Sequence, residues 1–197
     1  MKFISFYTEN YTEDAELLKK SLEAHNIDSS GIEYRESVGP WEANTQMKAE
    51  FILEKLKEND SVVWTDADSY IVSNPSFLDN ITADIGVFFL PIELASGFVP
   101  EEHSILKNVD KYLQSGTMYF KNNDRVIKLL ESWIQLNKQD SRQWDQWTLQ
   151  VALQNSDVTI TQLPPEYIWV WFVEKVYPNR QPVIIHTEAS ARNRASY

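Results

Sequence analysis

The stretch Ser61-Val62-Val63-Trp64-Thr65-Asp66-Ala67-Asp68 decides the fold prediction for this chain. Its first five residues are largely apolar, and short runs of this kind are typical of strands that are buried on both faces. The run leads directly into two carboxylates. In an extended segment, residues two apart point to the same side, so Asp66 and Asp68 can converge on one cation. Open α/β sheets bind their ligands beyond the carboxyl ends of their strands, where this pair is expected to lie.

A pair of aspartates with this spacing also occurs in solvated acidic turns, so the neighbouring residues matter. The apolar run precedes the pair and Ser69-Tyr70-Ile71-Val72 follows it, which places the pair at a buried strand end and favours a functional site. A diphosphate ligand would require a divalent cation here, because two anionic groups do not approach each other without one. The pattern therefore predicts a site for a metal and a diphosphate.

Strand and helix patterns alternate on both sides of this segment. This alternation predicts one α/β domain over residues 1–197, with a mainly parallel sheet flanked by helices. Thr12 and Asn123 are the expected N-caps of two of the helices. Residues 97–103 are the best candidate for a loop. The predicted strands are Lys2–Tyr7 and residues 32–35, 61–65, 84–90, 116–120, 158–163 and 182–185, and the predicted helices span residues 12–26, 41–57, 123–133 and 144–153.

Composition restricts the function classes. The chain has 197 residues, a formal net charge of -11 and 43% hydrophobic residues, which suits one globular domain with its own core. The absence of cysteine excludes zinc-thiolate sites, thiol nucleophiles and disulfides, and fits a reducing compartment. The apolar start is too short for a signal peptide or a membrane span, so a cytoplasmic location is expected. The acidic charge disfavours nucleic acid as a partner.

Aromatic residues make up 13% of the chain and include 7 Trp. Rings at helical spacing usually pack in a core, and about two in three are assigned to packing on that ground. The remaining rings are candidates for stacking on sugars and nucleobases.

His186 follows the apolar run of residues 183–185, so it also lies at the end of a predicted strand. Alone, such a histidine would be interpreted as structural, but together with Asp66 and Asp68 it completes a ligand set of oxygen and nitrogen. That set favours manganese over calcium or magnesium, with magnesium as the alternative. Protons would compete with a metal near the ordinary imidazole pKa of about 6.5. His25 and His103 are expected at the surface.

Five motifs follow one another along the chain: Phe6-Tyr7-Thr8-Glu9-Asn10-Tyr11, Trp64-Thr65-Asp66-Ala67-Asp68, Ser115-Gly116-Thr117-Met118-Tyr119-Phe120, Asp145-Gln146 and His186. In this order they resemble glycosyltransferase family 8 and related nucleotide-diphospho-sugar transferases. The resemblance spans nearly the whole chain. It implies a GT-A (Rossmann-like) domain with a mainly parallel mixed sheet and a metal-dependent transfer of sugar, with a UDP-sugar as expected donor and a carbohydrate as expected acceptor.

The resemblance also implies roles for single residues. The first loop, Thr8, Glu9, Asn10 and Tyr11, would hold the nucleobase and ribose, with Tyr11 stacking on the base. The metal ligands would be Asp66, Asp68 and His186.

Two further segments take their roles from the family. Ser115 and Gly116 resemble a segment in which small residues let the backbone approach the sugars closely. Asp145 and Gln146 resemble the pair beside the reacting sugar carbon in retaining members, which implies retention of configuration. Because Asp145 begins a predicted helix, a favourable interaction with the helix dipole explains its position equally well.

Lys48 resembles a basic position of the family that binds the donor, although the sequence itself favours a solvated lysine.

The segment after His186 departs from the family. Family 8 commonly has a glycine and then a lysine that touches the diphosphate, and the stretch of residues 186–192 contains neither. Arg192 or Arg194 can replace that lysine, because guanidinium groups pair with phosphate oxygens.

Two alternatives stay open at the level of sequence. Asp66-Ala67-Asp68-Ser69 approximates the nucleophile motif of haloacid dehalogenase-like phosphatases, although that motif belongs near the N-terminus. A non-catalytic nucleotide-sugar-binding protein with the same fold is the second alternative.

Overall fold

The computed structural model describes residues 1–95, 110–140 and 143–189 of the chain. Short 3-10 helices span Glu9–Tyr11, Ser76–Asn80 and Pro165–Tyr167. The strands are β1 (Lys2–Tyr7), β2 (Ile32–Tyr34), β3 (Ser61–Thr65), β4 (Ser69–Ile71), β5 (Ile85–Pro91), β6 (Lys111–Lys121), β7 (Ile160–Gln162) and β8 (Ile184–His186). The helices are α1 (Thr12–Ala24), α2 (Trp41–Leu56), α3 (Ile92–Ala95), α4 (Asp124–Gln139), α5 (Asp145–Gln154) and α6 (Trp171–Val176).

A mixed sheet with the strand order β2-β1-β3-β6-β5-β7 forms the centre of the fold. The pairs β1–β2, β1–β3 and β5–β7 are parallel, whereas β6 is antiparallel to both of its neighbours, β3 and β5. The carboxyl ends of β1 and β3 therefore lie side by side. Asp66 and Asp68, which we call the DxD pair, follow β3 at this edge, as the sequence predicts.

Two apolar layers cover the faces of the sheet. Successive strand residues point to opposite faces, so Phe3 and Val63 belong to one buried cluster, whereas Ile4, Val62 and Trp64 belong to the other. The first cluster includes side chains of α1 and α6, and the second includes side chains of α2, α4 and α5. This burial on both faces explains why β3 is almost wholly apolar.

The strand with His186 is not part of the central sheet. Instead, β8 pairs with β4 in a small antiparallel sheet, where His186 lies opposite Ser69. Because β4 begins immediately after Asp68, this pairing brings a residue from near the C-terminus next to the DxD pair.

Several element predictions differ from the structure. The sequence pattern correctly predicts the N-cap of α4, where the Asn123 side chain accepts a hydrogen bond from the Val126 amide at 3.0 Å. It did not predict β4, α3 or α6, which are too short to show a periodic pattern. β6 begins five residues before the predicted start at Gly116. The predicted loop at residues 97–103, and the surface position expected for His103, lie outside the described residues.

In the described part of the chain, no helix is both long and apolar enough for a membrane span.

Candidate active site

A cleft of about 450 Å³ opens where β1 and β3 end. Thr8 and Tyr11 line one part of it, and Trp41 and Trp144 line another. The DxD pair and His186 also line the cleft, together with Lys48 and Asp145. Residues far apart in the sequence therefore share one concave surface, a common location for ligand binding.

Asp66 and Asp68 each have one carboxylate oxygen held by the protein. Oδ1 of Asp66 accepts a hydrogen bond from the Trp64 indole at 2.8 Å and lies 3.0 Å from Nζ of Lys48. Oδ2 of Asp68 accepts a hydrogen bond from the amide of Ala189 at 2.8 Å. These contacts involve Oδ1 of Asp66 and Oδ2 of Asp68 and leave out the other oxygen of each carboxylate.

His186 completes a cluster with these carboxylates, which we call the Asp-Asp-His cluster (Asp66, Asp68 and His186). One ligand atom from each of the three residues lies within 4.8 Å of the other two. The Thr117 hydroxyl lies 3.0 Å from Nε2 of His186, and the His186 amide donates a hydrogen bond to the carbonyl of Trp169 at 2.8 Å. The first contact orients the buried imidazole ring, and the second holds the backbone that carries it.

Burial shifts the pKa values of two members of the cluster. Asp68 has a pKa raised to about 7, first because its carboxylate is surrounded by protein and second because Asp66 repels its negative charge. His186 has a pKa lowered to about 4, because burial disfavours the imidazolium form. The imidazole is therefore neutral at physiological pH, as a metal ligand must be.

The chain after His186 turns back onto the DxD pair. Glu188 adopts a φ of 53°, a left-handed conformation that favours glycine. The turn presents two backbone amides to Asp68: Thr187 donates to its carbonyl at 2.8 Å, and Ala189 donates to its side chain. The segment thus fixes the orientation of the Asp68 carboxylate.

An irregularity in β6 makes space for the histidine. The register between β5 and β6 shifts between Val87 and Phe88, so the residues from Ser115 to Thr117 have no partners on β5. A Cβ atom added at Gly116 would lie 2.6 Å from Cδ1 of Ile168 and 2.9 Å from Cε1 of His186. Gly116 is therefore needed for the close approach of the imidazole ring.

Lys48 is buried, and this corrects the expectation that it is a solvated lysine. Its residual exposure is 5%, and its Nζ atom lies 2.8 Å from Oδ2 of Asp145 and 3.0 Å from Oδ1 of Asp66. Burial alone would lower its pKa, but the two carboxylates raise the pKa of Lys48 above its ordinary value. The ammonium group stays charged and links the Asp-Asp-His cluster to α5.

Asp145 and Gln146 begin α5 and contact the irregular part of β6. The Ser115 hydroxyl donates to Oδ2 of Asp145 at 3.3 Å, and the Ser115 amide donates to Oε1 of Gln146 at 3.1 Å. The Trp133 indole donates to the carbonyl of Asp145 at 2.8 Å. Asp145 therefore does more than begin a helix, because its buried carboxylate takes part in the polar network of the cleft.

The first loop contributes to the cleft in part. Thr8 and Tyr11 line it, whereas Glu9 and Asn10 are exposed on the 3-10 helix and do not line it. Arg192 and Arg194 lie outside the described residues.

A comparison with protein families identifies the fold and the broad activity. Residues 15–194 match the model of the family described as nucleotide-diphospho-sugar transferase. The chain belongs to this family. It is therefore a nucleotide-sugar-dependent transferase. No curated protein matches its sequence.

Solved structures agree with this family at the level of the fold. A glycosyltransferase involved in the glycosylation of the major capsid of PBCV-1 has 16% sequence identity and a TM-score of 0.62 over 99% of this transferase and 97% of that chain. The WbbM bifunctional glycosyltransferase has 13% identity and a TM-score of 0.64 over 95% of the transferase, which spans 45% of the WbbM chain. Both support the predicted GT-A fold. Neither alternative, the phosphatase or the non-catalytic binding protein, gains support.

Sequence reasoning did not predict several contacts of this transferase. The turn at Glu188 and the hydroxyl of Thr117 gave no signal, because they act through a backbone conformation and a single hydrogen bond. The sequence did contain a signal for Lys48: Asn44, Lys48, Ile52 and Leu56 follow each other at intervals of four and are all buried. A row at this spacing lies along one helix face.

Proposed function

We propose that the protein is a divalent-metal-dependent glycosyltransferase of the family 8 type, which transfers the sugar of a UDP-sugar to a carbohydrate acceptor with retention of configuration. The observation that supports this proposal best is the Asp-Asp-His cluster in the cleft of a nucleotide-diphospho-sugar transferase.

The cluster fits a divalent cation in its chemistry. It offers two carboxylates with an available oxygen and one neutral imidazole, a set that suits manganese and also accepts magnesium. Burial and, second, repulsion from Asp66 raise the pKa of Asp68, and a cation bound to the carboxylates would offset this repulsion. A bound metal would supply positive charge that stabilises the departing diphosphate.

The other residues of the cleft position the two substrates. In the proposed reaction the bond between the sugar C1 and the diphosphate oxygen breaks, the acceptor oxygen bonds to C1, and its proton leaves with the nucleoside diphosphate. Tyr11 supports the nucleobase at one part of the cleft. Lys48 holds the Asp145 carboxylate in place, so that Asp145 and Gln146 lie beside the sugar ring and stabilise positive charge on it.

Release of UDP from UDP-sugars tests this proposal. We expect UDP-glucose, UDP-galactose or UDP-N-acetylglucosamine to release UDP in the presence of Mn²⁺ or Mg²⁺, and none to do so in EDTA. Asp68→Asn should abolish the metal-dependent release. The matched control is Asp79→Asn, because Asp79 is an exposed carboxylate on a 3-10 helix that does not line the cleft.

The outcomes separate the parts of the proposal. Equal release by Asp68→Asn and by the wild type at limiting Mn²⁺ would contradict the metal site. Tight binding of another nucleoside diphosphate in place of UDP would contradict the choice of base. The anomeric proton coupling of the product, measured by NMR, tests retention.

The location is also a proposal. We propose a cytoplasmic protein because the chain has no cysteine. Fractionation of cells that express the tagged protein tests it.

A further inference from the structure

We infer that the indoles of Trp41 and Trp144 form the acceptor subsite of this enzyme and bind the ring of an uncharged sugar. The inference rests on the proposed function, since it requires that the neighbouring part of the cleft holds the donor. It names the chemical class of the acceptor, a neutral carbohydrate, and the two side chains that recognise it.

The contacts along the cleft place these indoles beyond the reaction centre. Tyr11 and Thr8 follow β1, next to the DxD pair that follows β3. Nζ of Lys48 links the two ends of this region, because it lies 3.0 Å from Oδ1 of Asp66 and 2.8 Å from Oδ2 of Asp145. Trp144 directly precedes Asp145 and contacts Trp41. A sugar on these rings would lie next to the proposed position of the donor sugar, on the side away from the nucleobase.

The two indoles are held in a fixed arrangement. Their ring centroids lie 5.4 Å apart at an interplanar angle of 82°, and Trp144 makes a second edge contact with Trp147 at 6.2 Å. Gln46 of α2 donates hydrogen bonds to the carbonyls of Asp140 and Gln143 at 3.0 and 2.8 Å. These bonds fix the start of α5 relative to α2, so the rings are positioned before a ligand arrives.

The chemistry of the surface fits a sugar better than an apolar ligand. Both indoles are half-buried and line the cleft, so they offer apolar area to the C–H groups of a pyranose ring. Gln114 lines the same cleft and is half-buried, and its amide can both donate to and accept from hydroxyl groups. Aromatic rings with a few polar groups are typical of small-molecule sites.

The charges of the cleft favour a neutral acceptor. Among the described residues that line it, Lys48 is the only lysine or arginine, and its ammonium is already paired with two carboxylates. Asp66, Asp68, Asp145 and Glu188 supply negative charge to the same surface. A phosphorylated or acidic sugar would be repelled, whereas an uncharged pyranose would not.

The experiment measures acceptor and nucleotide binding separately. Methyl β-galactoside, methyl β-glucoside and methyl α-mannoside serve as neutral acceptor probes, and the readout is the glycoside concentration that gives half-maximal acceleration of UDP release in Mn²⁺. We expect Trp41→Ala to raise this concentration about tenfold or more, which is the effect of losing one stacked ring. The dissociation constant of UDP with Mn²⁺, measured by calorimetry, should change less than twofold.

Two further variants control for folding and for general loss of a tryptophan. Trp144→Phe keeps a ring beside Asp145 and should raise the half-saturating glycoside concentration less than Trp144→Ala does. Trp171→Ala removes an exposed indole on α6 that does not line the cleft, and it should behave as the wild type.

Each other result overturns the inference in a distinguishable way. An unchanged half-saturating concentration in Trp41→Ala and Trp144→Ala, or no saturation-transfer NMR signal from any glycoside with wild type that binds UDP, would place the acceptor elsewhere. Equal losses of glycoside and UDP binding would assign the rings to the donor. Absence of metal-dependent UDP binding in the wild type would instead refute the proposed function, and the inference with it.

Discussion

Replacing Asp68 with asparagine should stabilise the metal-free protein while it abolishes metal binding. Asparagine keeps the acceptor for the Ala189 amide, which lies 2.8 Å from Oδ2 of Asp68, but removes a buried charge. The pKa of Asp68 rises from an ordinary 3.8 to about 7. At about 1.36 kcal/mol for each pH unit, this rise corresponds to a destabilisation of at most about 4 kcal/mol. Because the residue keeps partial exposure, we expect about 1 to 3 kcal/mol.

The sign of the effect sets the pH at which it is measured. Well below the ordinary pKa of 3.8, Asp68 is protonated in both the folded and the unfolded protein, so it makes no difference to the free energy of unfolding. As the pH rises to about 7, the unfolded chain loses the proton first, and the folded protein loses stability up to a plateau above pH 7.

Urea unfolding in EDTA, followed by tryptophan fluorescence, therefore should show Asp68→Asn to be more stable than the wild type at pH 8 and nearly equal at about pH 3. Added Mn²⁺ should stabilise only the wild type. A variant that is less stable than the wild type at pH 8 would refute the reasoning.

Three further predictions concern the same cleft. Gly116→Ala should weaken Mn²⁺ binding about tenfold or more, because the new Cβ would lie 2.9 Å from Cε1 of His186; calorimetric affinity equal to the wild type would contradict this. Lys48→Met should destabilise the protein by about 3 kcal/mol in urea unfolding, because it leaves the buried Asp145 unpaired, and a loss below about 1 kcal/mol would argue against a buried ion pair. Mn²⁺ affinity, measured by calorimetry on the wild type, should fall between pH 8 and pH 6 through protonation of Asp68, whose pKa is raised to about 7, and an affinity that stays constant down to pH 6 would contradict this.

The sequence predicted the part of the site that depends on strand ends. The apolar run of residues 61–65 had the pattern of a strand buried on both faces, and the position of Asp66 and Asp68 follows from that strand alone. The helix and strand patterns also predicted the layered α/β fold, because each long element buries its own apolar face.

The spacing of Lys48 along α2 indicates the helix face on which it lies, but its charged partners could not be predicted from the sequence. A lysine in a helix is normally solvated, since removing an ammonium group from water is costly. Here Asp66 and Asp145 offset that cost, but Asp66 follows β3 and Asp145 begins α5, so they are distant in sequence. Only the tertiary fold shows that the three side chains meet.

The pH dependence expected for metal binding also depends on the tertiary structure. From an ordinary imidazole pKa of about 6.5, protonation of His186 would be expected to limit metal binding near neutral pH. Burial lowers the pKa of His186 to about 4 and raises that of Asp68 to about 7. Asp68 therefore has the higher pKa of the two, which reverses the order of the free side chains. At neutral pH, protons are then expected to compete with the proposed metal for the Asp68 carboxylate rather than for the imidazole.

The positions of these buried groups follow from short elements with weak sequence signals. β4 and β8 have three residues each, yet their pairing places His186 opposite Ser69, next to Asp68. The register shift of β6 frees Gly116 from the ladder with β5 and makes room for the same imidazole. Irregular strands of this kind cost hydrogen bonds between strands, and they are common beside active sites because they redirect side chains. The residues of the Asp-Asp-His cluster can therefore be predicted from the sequence as a group, whereas the irregular backbone that brings them together requires the structure.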